Sequence, residues 1–142
     1  RRTFYRYYRS KEQVLTNYLD RLIQDYIIEL QTEKLTNFND LVNLFFQYWS
    51  QYTEPLKILQ DANLLVLILP RSYDKFLAAY TTVMAPWHIT NSDQRQINYD
   101  SRFITGGLYN IFDEWLKGDY KAMPVNELVT TALNTIKRIK NS

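Results

Sequence analysis

Cysteine is absent from this 142-residue chain. That excludes disulfide scaffolds, thiolate metal sites and cysteine nucleophiles. Glycine (3) and proline (4) are scarce, whereas an all-β sandwich needs turn residues about every 8–12 positions. The longest aliphatic run, Leu64 to Leu69, spans six residues, and a membrane-spanning helix needs about 20. No signal-peptide pattern opens the chain, which starts at Arg1 and not at Met; residues upstream are expected to have been removed or omitted. Histidine occurs once, at His88. There is no H-E-x-x-H, no G-x-S-x-G and no phosphate-cradling glycine loop. Asp113 and Glu114 adjoin in sequence but face different ways on a helix. The expectation is a cytoplasmic protein that is not an enzyme, with no cofactor, metal or membrane partner.

What is present fits one domain with a real core. Apolar residues make 46% of the chain and charged residues 23%, near the globular average. Twelve Tyr, seven Phe and three Trp can fill a wide interior or line a ligand cavity. The net charge of +2 is uneven. Arg1, Arg2, Arg6, Arg9 and Lys11 crowd the first 11 residues without an acid, and the other 131 carry 12 basic and 15 acidic groups. A basic tip on a mildly acidic body suits contact with a polyanion, and equally suits a solvated basic end.

Hydrophobic spacing predicts an all-α fold of six or seven helices. Val14, Leu15, Tyr18, Leu19, Leu22, Ile23, Tyr26, Ile27 and Leu30 form a stripe on a helix over 10–32, with Ser10 and Gln13 as a capping box. Asn37 caps a helix over 38–52 that is apolar nearly all round and therefore buried on several sides. Thr53-Glu54-Pro55 starts another. The run 64–69 reads as helix in the absence of any partner strand, broken by Pro70. Further helices are expected over 72–84 and 92–117, with a loop at 86–92 between them. Gly118 supplies the stop of the second, and Pro124 opens the last helix. Lys137, Arg138 and Lys140 suit the final turn of that helix. Gly106-Gly107 in mid-helix costs up to about 2 kcal/mol against two alanines. Small residues there suggest close approach of a helix or ligand, in preference to a kink.

Two segments carry a resemblance. Thr3-Phe4-Tyr5-Arg6-Tyr7-Tyr8-Arg9-Ser10-Lys11-Glu12 resembles the end of the DNA-binding segment of TetR/AcrR-family transcriptional regulators, with Tyr8 where Phe is usual. Phe103-Ile104-Thr105-Gly106-Gly107-Leu108, followed by Trp115-Leu116 and Gly118, is similar to the family's penultimate helix. Pro124 stands where its last helix often begins, after Met123 where Ser or Thr is usual. These motifs cover about a quarter of the chain, and the helix order agrees over nearly all of it.

The resemblance implies a transcriptional regulator, most simply a repressor, in which a helix-turn-helix head is joined by a long helix to an effector-binding, dimerising body. Residues 1–9 would be a remnant of the recognition helix and 10–142 the body. With the two preceding helices missing, operator DNA would be a partner of the intact protein only. Tyr5 and Tyr7 match positions that touch the DNA backbone, where phenols donate to phosphates; packing within a head is the other reading. Lys11 matches a lysine at the start of the linking helix, where a helix N-terminus also favours phosphate.

An unknown small-molecule effector would sit among Phe45, Trp49, Tyr52, Phe76, Tyr80, Trp87, His88 and Phe103, each of which also reads as core. A homodimer would form through Phe103, Gly107, Leu108, Ile111, Leu128, Ala132 and Ile136. The alternative is a body that binds a partner protein. A polar-dotted cavity near Trp49 and Trp87 favours an effector, and a dry core without a pocket favours a protein.

Overall fold

The computed structural model describes residues 2–84 and 93–142; its described side chains exclude 2–10, 12, 68, 69, 71 and 80–84. The described residues form six α-helices and no strand. They are α1 (Arg2–Thr32), α2 (Phe38–Trp49), α3 (Thr53–Asp61), α4 (Ile68–Met84), α5 (Gln94–Glu114) and α6 (Val125–Lys140). Short 3-10 turns at Ser50–Tyr52 and Leu65–Leu67 join α2 to α3 and lead into α4. No described helix is long and apolar enough to cross a membrane.

Helix α1 does not begin at Ser10. It is already helical at Arg2 and runs unbroken to Thr32. A capping side chain acts only where the preceding backbone has left the helix, and neither Gly nor Pro interrupts 2–12. The side chains of Lys11, Gln13 and Val14 are exposed, and burial starts at Leu19. Among the described side chains of the rod, full burial is thus confined to its second half, which packs on the body.

Helix α2 begins as its sequence requires. Asn37 is extended, and its Oδ1 accepts from the Asp40 backbone N–H at 2.9 Å. Asp40 in turn accepts from the Thr36 backbone N–H at 3.0 Å and the Thr36 hydroxyl at 2.8 Å. Those bonds hold the Asp40 carboxyl below its ordinary value. Leu41, Val42, Phe45, Phe46, Tyr48 and Trp49 are all buried, because α2 packs against α1, α5 and α6.

Three sequence expectations about helix ends are corrected. Pro70 does not break a helix. It lies in the first turn of α4, where a backbone N–H has no intrahelical partner to lose. The helix therefore starts at Ile68, four residues before the predicted position. Gly118 does not end α5 in a left-handed conformation, since no described glycine has positive φ. Instead the helix widens into a π turn at Trp115–Asp119, secured by the Trp115 indole N–H donating to the Met123 carbonyl at 3.0 Å. The one positive φ among described residues is at Asn63 (59°), a residue type that tolerates it. There Leu64 N donates to the Leu59 carbonyl at 2.9 Å and Asn63 N to the Gln60 carbonyl at 3.0 Å, which closes α3 with a Schellman motif and turns Leu65 inward.

Replacing the α2 cap, Asn37→Ala, should lower unfolding free energy by about 1 kcal/mol. Urea denaturation followed by circular dichroism reads this directly, and an unchanged midpoint would mean that the cap contributes nothing.

Candidate functional site

Tyr26 is completely buried on α1, and four rings surround it. Phe45 (5.9 Å between centroids), Tyr48 (5.1 Å) and Trp49 (5.5 Å) come from α2, and Phe76 (5.8 Å) comes from α4. Burial pushes the Tyr26 phenol far above its usual range. Tyr48 is raised too, by burial first and by the neighbouring Tyr52 phenol second. The Tyr48 hydroxyl donates to the Leu22 carbonyl at 2.6 Å, which fixes α2 to α1.

Beyond this cluster lies a cavity of about 40 Å³ that widens through a partly open mouth, reaching about 440 Å³ when the solvent-facing space is counted. Phe45 and Trp49 of α2, Leu56 of α3 and Leu65 of the 3-10 turn line it, with Ser72 and Phe76 of α4 and Thr105, Tyr109 and Phe112 of α5. Five of the nine are aromatic, and the surface turned to the cavity is nearly all carbon. No acid, amine, guanidinium or imidazole is among them. Burial, and secondarily Asp113, pushes the Tyr109 phenol up to about 12, so it is neutral at ordinary pH. Such a wall binds by removing apolar surface from water.

Polar contacts outside the cavity fix its walls. Gln60 Nε2 donates to the Asp113 carbonyl at 2.9 Å and to Asp113 Oδ1 at 2.8 Å, which ties α3 to α5. The Arg102 guanidinium lies 4.6 Å from the centroid of the Tyr73 ring, across the packed α4–α5 pair. At Gly106 an added Cβ would meet the Tyr73 hydroxyl at 3.9 Å, an ordinary contact, and at Gly107 it would meet nothing within 4 Å. Neither glycine is required by packing among the described residues.

The structure brings together Phe45, Trp49 and Phe76 of the predicted effector residues. Tyr52 is elsewhere: it closes the 3-10 turn and packs on Tyr48 at 5.4 Å. Phe103 is also elsewhere and is 79% exposed. It lies nine residues from Phe112, two and a half helical turns, and so on the opposite side of α5. The Tyr80 side chain, Trp87 and His88 lie outside the described residues, as do the side chains of Tyr5 and Tyr7. Lys11 is exposed in mid-helix, away from the free N–H groups of a helix start.

The predicted dimer residues divide in the same way. Leu108, Leu128 and Ala132 are buried inside this chain, since α2 packs against both α5 and α6, and they offer nothing to a second copy. Phe103 and Gly107 are exposed, and Ile111 and Ile136 are half-buried.

Sequence reasoning missed Leu56, Leu65, Ser72, Thr105, Tyr109 and Phe112 as wall residues. A usable signal did exist in α5, where Thr105, Tyr109 and Phe112 are spaced four and three apart and share a face. No group of three or more potential metal ligands occurs among the described residues. The chain matches no family model, no curated protein and no solved structure.

Phe45 meets Tyr26, Phe46 and Phe112 edge-on. Phe45→Ala should therefore cost about 3–5 kcal/mol of stability in urea melts. A loss under 1 kcal/mol would show that the wall around it is loosely packed.

Proposed function

We propose that this chain is the sensing and dimerising body of a TetR/AcrR-type transcriptional regulator, with the basic end of α1 leading to a DNA-reading head. One observation carries the reading. Helix α1 is continuous from the basic residues to Tyr26, and the Tyr26 ring touches Phe76, a residue of the cavity wall. One rigid element thus links the segment that resembles a DNA contact to a cavity of ligand-binding character. An effector that prefers one position of Phe76 shifts the equilibrium between positions of α1, and so alters the placing of the heads on operator DNA.

A dimer accounts for the outer face of α5. Tyr99, Phe103 and Gly107 are spaced four apart and therefore share one stripe, and Tyr99 and Phe103 are 63% and 79% exposed. Gly107 is open there, which permits the close approach of a second backbone. With Ile111 half-buried at its edge, this stripe replaces the inward-facing residues in the proposed interface. The reading of a body that binds a partner protein draws on a different surface, the exposed Ile58, Val66 and Leu67 of the adjoining α3 and 3-10 turn.

Sedimentation equilibrium tests the reading. The chain should dimerise, and Phe103→Glu should weaken self-association at least about thirtyfold. Gly107→Ala should stabilise the monomeric F103E background by about 0.5–1 kcal/mol while weakening the dimer of the otherwise unaltered chain. A monomer at all concentrations would overturn the dimer and, with it, the two-headed reading of an operator.

A further inference from the structure

The cavity wall contains residues with polar atoms, yet almost nothing but carbon faces inward. Ser72, Thr105 and Tyr109 carry hydroxyls and line the space, so they turn hydrocarbon to it and their oxygens elsewhere. An ordered water needs two to four polar partners, and this surface supplies almost none. An apolar cavity of that kind stays dry and gains by accepting carbon. No cationic or anionic side chain lines it. A charged or polar group drawn inside would therefore lose its hydration with nothing in exchange, whereas at the mouth it keeps its water.

Size and exposure decide the shape of what enters. The enclosed space is about 40 Å³, well short of the roughly 150 Å³ that accepts benzene in an apolar protein cavity. A ring enters at its full width and must displace the wall, which a close-packed interior resists. A straight chain enters one methylene at a time. The wall is also graded in exposure. Leu56 and Leu65 are buried, whereas Phe76, Thr105 and Tyr109 on α4 and α5 are half-buried. The closed end of the cavity thus lies toward the two leucines, and the partly open end lies toward α4 and α5.

We propose that the cavity takes the unbranched hydrocarbon tail of a free single-chain amphiphile, methyl end first toward Leu56 and Leu65, with the polar head left in the mouth. This inference rests on the reading of the cavity as the effector site, and it adds the chemical class of the effector. Phe76, which also touches the Tyr26 ring of α1, is then a wall residue that the tail passes on its way in.

Four alcohols separate the parts of this claim: 1-pentanol, 1-heptanol, cyclohexylmethanol and 1,7-heptanediol. Each is titrated into the 142-residue protein and read by the NMR shifts of the Leu56 and Leu65 methyl groups. 1-Heptanol should bind at least about tenfold more tightly than 1-pentanol, since each methylene removed from water contributes about fourfold. It should also bind at least about tenfold more tightly than cyclohexylmethanol, which closes the same number of carbons into a ring. 1,7-Heptanediol puts a hydroxyl where the methyl end belongs and should be at least about tenfold weaker than 1-heptanol. Leu65→Ala enlarges the closed end and should bring cyclohexylmethanol to within about threefold of 1-heptanol.

Equal binding of 1-heptanol and cyclohexylmethanol by the unaltered protein overturns the linear shape, whether or not the variant folds. Equal binding of 1-heptanol and the diol overturns the buried methyl end, and equal binding of 1-heptanol and 1-pentanol overturns burial of the tail. No shift at either leucine with any alcohol overturns the site. The regulator reading is measured separately, by sedimentation. A dimer whose leucines ignore all four alcohols refutes only the ligand inference, whereas a monomer whose leucines respond to 1-heptanol refutes only the dimer.

Discussion

Three helices meet at one aromatic ring. Tyr26 of α1 touches Phe45, Tyr48 and Trp49 of α2 and Phe76 of α4. Each ring pair adds to the area already buried, and the dense interior they form resists compression. Phe45, Trp49 and Phe76 turn part of their surface to Tyr26 and part to the cavity. The cavity is therefore bounded by the same residues that hold α1 in place, and any change in its contents is felt where the rod is anchored.

Much of the fold was legible because helical periodicity is a strong local signal. Asn37 and Pro124 stand at the starts of α2 and α6 as cap and N-terminal chemistry demands. The misplaced ends all depended on context. Ser10 looks like a cap only when the residues before it are ignored. Pro70 ends a helix or starts one according to which side of it is packed, and Ser72 and Ala79, both buried, place the packed helix after it. Gly118 fits a conventional stop, yet the Trp115 bond to Met123 favours a wider turn. Nothing in a propensity scale reports that distant acceptor.

The candidate site was legible in its aromatic half only. Phe45, Trp49 and Phe76 stand out on apolar faces, whereas Leu56 and Leu65 are indistinguishable in sequence from ordinary core. Phe103 illustrates the limit of composition. Phe103 and Phe112 both enlarge the apolar surface of α5, but helical geometry places them on opposite sides. One ring faces the cavity and the other faces solvent. The cavity wall beside Trp49 is nearly all carbon, neither the polar-dotted cavity that favours an effector nor a core without a pocket.

The continuity of α1 has a mechanical consequence. From Leu19, where its burial begins, back to Arg2 the helix extends about 26 Å at 1.5 Å per residue, with no glycine or proline along it. Such a lever turns an angular change of about 5° into a displacement of about 2 Å at the far end. Sub-ångström repacking beside Phe76 is thereby magnified several-fold, without any joint having to bend.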